Sequence, residues 1–214
     1  EKSMAIKAQD IADYWRRVAD WVDWEHTCDG FKMGSPETLV TRIAVGWQST
    51  MDALLQAHDL GCEMFITHEP TFYSHMYNDE SWRATPAAQE KKRFLEETGM
   101  VVYRCHDAWD TFPEIGVRDS WSAFLNLGKP TVQQGYYNLH DVPMTTAWEL
   151  AGRIAEKVKP LRQQGVQFIG SKQSMVNKLA IGTGAIMNVR EMVSLGADVL
   201  LLTDDGMVQW RDGA

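Results

Sequence analysis

Two short apolar runs constrain this chain more than any other feature, because each follows a helical stretch closed by a glycine and each ends in a histidine. Glu63 to Thr67 comes after Gly61 and runs into His68-Glu69-Pro70, while Met100 to Cys105 comes after Gly99 and runs into His106. The stretches before them, Thr50 to Leu60 and Pro86 to Thr98, carry helical spacing, and the two glycines are placed as C-terminal stops. Leu39 to Val45 has the β-branched, apolar pattern of a strand, and Pro70 bends or ends the run before it. Strand, helix, strand, helix, strand predicts a parallel sheet.

The segments on either side extend this reading. Ala8 to Trp24 spaces Ile11, Trp15, Val18, Ala19 and Val22 as one amphipathic helix. From Lys129 to Asn138 the chain becomes rich in Gln, Thr, Gly and Tyr, which marks a lobe boundary and strands with a polar face. Thr146 and Glu149 have the spacing of a capping box that opens a helix to about Val158. Asn177 to Ile181 then reads as a strand, Ile186 to Leu195 as a helix stopped by Gly196, and Ala197 to Thr203 as a buried strand. The second half repeats the alternation of the first. The expected architecture is α/β: two similar lobes with central mixed sheets, residues 1–128 and 129–214.

Composition narrows the function classes. Hydrophobic residues at 44% and charged residues at 23% match a globular domain. No apolar run approaches the ~18 residues of a membrane span. Glu1 to Asp20 has no apolar core of the kind a signal peptide carries. Cysteines 28, 62 and 105 are odd in number and far apart, so no disulfide framework or CxxC pair is offered, and a reducing, cytoplasmic setting is expected. A net charge of -8 repels a phosphate backbone. The one basic run, Lys91-Lys92-Arg93, has Glu90, Glu96 and Glu97 beside it and reads as a solvated helix face.

In open α/β sheets, ligands collect outside the carboxyl ends of the strands. Three strand ends carry polar clusters: Thr67-His68-Glu69, His106-Asp107-Ala108-Trp109-Asp110 and Thr203-Asp204-Asp205. If the first two strands are parallel neighbours, His68, Glu69, His106 and Asp110 meet in one crevice as candidate ligands of a divalent metal. Imidazole suits zinc and iron, and carboxylates extend the range to manganese and magnesium. Two ions about 3.5–4 Å apart could share bridging oxygens.

Plainer readings compete. The histidines can be hydrogen-bonded structural residues, and Asp110, or with a better claim Asp107, can cap the following helix. Cys105 belongs to the core, because consecutive strand residues point to opposite faces. Ile181 to Ala185 can cradle a phosphate, yet without a third glycine it better suits a tight turn. Trp47 and Trp109 at strand ends can wall a crevice, whereas Trp15, Trp21, Trp24 and Trp148 read as core or interface. His26, His58, His75 and His140 have no evident partners, and no general base separate from the ligands is assigned.

These residues resemble the NGG-interacting-factor-three-like family, described as dinuclear metal-centre hexameric proteins and as homologues of GTP cyclohydrolase I type 2. Cys28-Asp29-Gly30-Phe31-Lys32-Met33-Gly34 is partly similar to its Trp-Asp-Asn-x-Gly-Leu-x-x-Gly entry segment. Ile66-Thr67-His68-Glu69-Pro70 is similar to Ile-Thr-His-His-Pro, and His106 to Asp110 to His-x-x-x-Asp. Ile181-Gly182-Thr183-Gly184 resembles the family's glycine turn, and Gly196-Ala197-Asp198 to Asp205 its Gly-Ala-Asp strand.

The resemblance implies a two-lobe fold with up to two divalent ions in a cleft between the lobes, and a toroidal homohexamer. It carries over His68, His106 and Asp110 as ligands and places Glu69 where the family has a second histidine. That exchange hardens the site and shifts the expected ion from zinc towards iron, manganese or magnesium. The family's late His-x-x-x-Glu has no counterpart, since no histidine follows His140, so residues beyond Ala214 are expected to complete the second lobe and the site. Two functions follow. One is a metal-dependent, hydrolase-like enzyme acting on an unassigned small molecule; the other is a non-catalytic metal-binding regulatory protein working as a homo-oligomer.

Overall fold

The computed structural model describes residues 5–72, 85–184 and 187–203. The fold is mixed α/β, and the chain divides into two compact units, Glu1–Trp109 and Asp110–Ala214. The first contains β1 (Ile6–Lys7), α1 (Ala8–Val18), β2 (Gly30–Met33), β3 (Leu39–Val40), β4 (Ile43–Gly46), α2 (Met51–Asp59), β5 (Met64–Thr67), α3 (Pro86–Thr98), β6 (Val101–Arg104) and α4 (Asp107–Asp110). The division falls inside α4, so Asp110 is carried on the helix that begins at Asp107.

The main sheet of the first unit runs β2-β6-β5-β4. Its β4, β5 and β6 are parallel, as the strand and helix alternation predicts, with Gly46, Thr67 and Arg104 in one row across the carboxyl ends. At one edge β2 lies antiparallel to β6, so the sheet is mixed, as expected. β6 is buried along its whole length, so its side chains feed two clusters by simple alternation. Val101 and Tyr103 join Met64, Ala8 and Ala12 under α1, while Val102 joins Phe65, Leu54 and Leu95 under α2 and α3. Burying a side chain such as Leu54 or Val101 contributes about 1.5–3 kcal/mol each.

β2 serves both faces because of an irregularity. Its register against β6 shifts between Phe31 and Met33, leaving Lys32 as the extra residue. Phe31 consequently packs on the α1 side, edge-on to Tyr103 at 5.2 Å, and Met33 on the α2 side. Gly34 follows with φ +81, and a Cβ there would come within 2.7 Å of the Val101 Cα, so no other residue fits without moving β6.

Several boundaries differ from expectation. The opening helix ends at Val18 and not at Trp24, because the chain leaves helical geometry at Ala19. Trp24 folds back so that its indole N–H donates to the Ala19 carbonyl at 3.1 Å. The strand expected over Leu39 to Val45 is two strands in different sheets, β3 pairing with β1 and β4 with β5. Thr50 and Thr85 cap α2 and α3 through their hydroxyls, and Gly99 takes the left-handed conformation that stops α3.

The second unit contains α5 (Val117–Phe124), β7 (Val132–Gln134), β8 (Tyr137–Thr146), α6 (Ala147–Val158), β9 (Met175–Gly182), α7 (Val189–Ser194) and β10 (Val199–Leu201). Its sheet runs β10-β9-β8-β7, and only β9 and β10 are parallel. The second half repeats the alternation of strand and helix from β8 to β10, but with a different pairing: β7, β8 and β9 are antiparallel, with α6 inserted before β9. Thr146 and Glu149 form the expected capping box, and α6 lays Leu150, Ile154 and Val158 on Val176, Leu179 and Ile181. α5, absent from the sequence-based elements, sits before residue 129 yet belongs to this unit, which moves the boundary back from 128/129. It is joined to β8 by buried polar contacts, Asn138 Nδ2 donating to Ser122 Oγ at 2.8 Å and Ser122 Oγ lying 3.0 Å from His140 Nε2.

The glycine turn after β9 is a packing device. A Cβ at Gly182 would meet Tyr137 at 3.0 Å and Met187 at 3.2 Å. α7 and β10 are shorter than the expected 186–195 and 197–203 segments. His75, Asp204 and Asp205 lie outside the described residues. Among the described residues no helix is long and apolar enough to cross a membrane.

Candidate metal centre

Three parallel neighbours each deliver one ring to the same edge. Trp47 follows β4, His68 follows β5, and His106 follows β6 by two residues. Because the strands are in register, the rings stack in order: Trp47 on His68 with centroids 4.0 Å apart, and His68 on His106 at 4.3 Å. Backbone hydrogen bonds carry the sheet's order into this edge. The amides of His68 and Glu69 donate to the Trp47 carbonyl, and Cys105 N–H donates to the Thr67 carbonyl at 2.9 Å. Trp47 thus walls the His68 ring, while Trp109 packs into the core, edge-on to Trp15 at 6.4 Å.

His68, His106 and Asp110 each place a ligand atom within 4.8 Å of the others. Asp110 reaches the group because α4 is a single turn, so the residue four after His106 returns to the same side. Burial, helped by the nearby His106 and Arg104, pushes the His68 imidazole down to about 3. It is therefore neutral at physiological pH, the state a ligand needs. Two imidazoles and a carboxylate suit zinc, iron or manganese. The donor set fits a divalent ion.

Glu69 is not brought into that group. Its carboxylate Oε2 faces the Arg104 guanidinium at 4.0 Å, and Arg104 is buried with Nε donating to the His68 carbonyl at 2.8 Å. The Glu69 carboxylate thus faces a buried guanidinium.

A shell of carboxylates orients His106. Asp29 accepts from the amides of His106 at 2.6 Å, Asp107 at 2.9 Å and Ala108 at 2.9 Å. It occupies the N-terminus of α4, so the capping role expected of Asp107 belongs to Asp29. Burial raises the Asp29 carboxyl from its usual range despite these three donors. Asp107 instead takes His106 Nδ1 at 2.8 Å and the Thr27 hydroxyl at 2.7 Å. Burial acts to raise the Asp107 carboxyl, yet the His106 and Thr27 hydrogen bonds hold it well below the usual range. An ionised carboxylate only accepts, so Nδ1 of His106 bears the proton and Nε2 carries the lone pair. In the sequence, Asp29 stands out only as part of the entry segment that runs from Cys28 to Gly34. The contact across 77 residues from Asp29 to His106 had no local signal.

Cys105 is buried in the core as expected. His140 is fully buried against Ser122 in the second unit, whereas His26 is an exposed partner of Asp23.

Comparison with known proteins bears on the fold and the family. A curated protein of Clostridium perfringens (strain 13 / Type A), named GTP cyclohydrolase 1 type 2 homolog, is 21% identical over 190 residues, covering 82% of this chain and 68% of the relative. The crystal structure of a Staphylococcus aureus protein superposes with a TM-score of 0.70 at 17% identity, covering 93% of this chain and 80% of that one. A Bacillus cereus protein described as related to NIF3 gives 0.70 at 13% identity, over 98% of this chain and 85% of that one. The family model of Duf34/NIF3 (NGG1p interacting factor 3) matches residues 6–212. The chain therefore belongs to the Duf34/NIF3 family.

Proposed function

We propose that this protein binds a divalent metal through His68, His106 and Asp110 and works as a hydrolase-like enzyme on a small molecule. The observation that carries the reading is the convergence of those three side chains at the carboxyl edge of parallel strands. A divalent ion held there supplies Lewis acidity, polarising a substrate bond and making a bound water more acidic. The chain's own residues do the rest. Asp107 fixes the His106 ring and its tautomer, Arg104 fixes the His68 backbone, and Trp47 covers one face of His68 against water. The name of the Clostridium relative supports a hydrolytic reaction, and the substrate class is left to the screen below.

Assembly as a homo-oligomer, with the hexamer of the resemblance as the specific form, is part of the proposal. Its support is the edge strand β4, whose Val45 is 78% exposed next to the 56% exposed Trp47. Apolar side chains on an open sheet edge favour pairing with another chain.

The test is metal analysis of the purified protein followed by a hydrolysis screen over nucleotides, phosphodiesters and cyclic amides. Bound metal and a turnover that disappears in His68→Ala and His106→Ala are expected. Bound metal without turnover on any class would favour the non-catalytic role. Failure of both purified and reconstituted protein to hold metal sinks both readings.

A further inference from the structure

A second group of donors gathers at the other nitrogen of His106, sharing that ring with the centre described above. Cys28, His106 and Asp107 each offer a ligand atom within 4.8 Å of the others. Asp107 Oδ1 lies 2.8 Å from His106 Nδ1 and 3.6 Å from Cys28 Sγ. The second carboxylate oxygen is occupied by the Thr27 hydroxyl at 2.7 Å and the Cys28 amide at 3.4 Å, which aims Oδ1 inward. A thiol, an imidazole and a carboxylate at such separations match the donors of a tetrahedral zinc site with one position open.

We propose that Cys28, Asp107 and His106 form a second metal position for a thiophilic divalent ion of the zinc class, bound through His106 Nδ1. The first centre uses His106 Nε2, so the two positions are compatible and the ring lies between them. This position goes beyond the proposed function, because it needs neither His68 nor Asp110. On binding with the first centre empty, the Cys28 thiol loses its proton to solvent and the His106 proton passes from Nδ1 to Nε2 by exchange with solvent, and the new bonds run from Sγ, Nδ1 and Oδ1 to the ion; with both positions filled that ring proton is also lost and the imidazolate bridges the two ions.

The surroundings suit that exchange. The buried Cys28 thiol donates to Asp107. A coordinated thiol is deprotonated outright, and the thiolate and Asp107 together balance a dication. Arg104 acts on Cys28 to favour the thiolate, while Asp107 and Asp29 act against it. Lys32, the extra residue of the β2 irregularity, lies within electrostatic reach of Cys28, and burial lowers its amine to about 7. Cys28 is itself buried, and the Asp107 side chain is 26% exposed, so an ion enters from the Asp107 side.

Cobalt(II) tests this, because thiolate ligation gives an intense near-ultraviolet charge-transfer band that oxygen and nitrogen ligands do not. Metal-free wild-type protein is titrated with cobalt(II), alongside Cys28→Ser and His68→Ala. The band is expected in wild type and in His68→Ala and absent in Cys28→Ser, with circular dichroism confirming that each variant is folded. X-ray absorption of the zinc-loaded wild type gives a variant-free check, with a sulfur shell expected at about 2.3 Å. Cobalt bound without the band, a band that survives Cys28→Ser or is lost in His68→Ala, or zinc with only nitrogen and oxygen neighbours overturns the proposal while leaving the first centre standing. No cobalt uptake at all overturns both.

Discussion

Trp47 lies flat on His68, with ring centroids 4.0 Å apart and planes 20° from parallel. The stack holds the imidazole against rotation and covers one of its faces, although the indole itself is more than half exposed. Groups that orient a ligand without touching the ion typically change metal affinity by about 10–100-fold. Trp47→Ala should weaken zinc binding by about 10-fold on that scale, and Trp47→Phe should restore most of it. Calorimetric titration of metal-free protein reads the difference, and equal affinities in Trp47→Ala and wild type would remove the orienting role.

Asp29 satisfies three consecutive amides at the start of α4. Asp29→Ala leaves those donors buried without a partner and removes the negative charge from the helix terminus. Charge-assisted hydrogen bonds are worth about 1.5–3 kcal/mol each, and local relaxation recovers part of the loss. Urea denaturation should show a loss of at least about 2 kcal/mol, with a smaller loss for Asp29→Asn, which keeps an acceptor. A stability within about 0.5 kcal/mol of wild type in Asp29→Ala would show that α4 is held some other way.

His140 sets a pH dependence in the second unit. Burial holds its imidazole below the ordinary value, against the pull of the Leu127 carbonyl and Asp119. In the unfolded chain it takes up a proton near pH ~6.5, whereas the folded ring stays neutral. The unfolded state then binds more protons, so stability falls as pH drops below about 6.5 and levels off below the folded pKa. His68 acts with the same sign, its window running from about 6.5 down to about 3. His140→Gln should reduce the fall in denaturation midpoint between about pH 7.5 and pH 5.5, and identical curves for variant and wild type would refute the assignment.

Val45 projects from the open edge of the first sheet. Val45→Lys places a charge there without disturbing a buried contact. Light scattering should report a smaller particle for the variant, with unchanged circular dichroism. An unchanged particle size would count against pairing through this strand.

What the sequence disclosed follows from the range of the forces involved. β5 and β6 were legible because both are short apolar runs between glycine-stopped helices, and their parallel pairing follows from the helix between them. The meeting of His68 and His106 was legible for the same reason. The pairing of Glu69 with Arg104 was not legible, because Arg104 lies on the neighbouring strand and is buried, and nothing local to Glu69 announces it. The antiparallel β2 was missed because its four residues interrupt alternation at Lys32, so they resemble a turn. Asp29 and Cys28 enter the site through contacts 77 to 79 residues distant in sequence, beyond any periodicity. In the second unit, the helix and strand order resembled the first although its pairing is antiparallel, since order alone does not fix direction.

The irregularity at Lys32 gives β2 a role that its length conceals. Phe31 and Met33 enter opposite clusters only because one residue is surplus between them. Removing that residue would make them neighbours in a regular strand, where alternation still sends one to each face. A deletion at Lys32 is thus a change the packing absorbs, whereas a further residue inserted between Phe31 and Met33 would turn one of them out of its cluster.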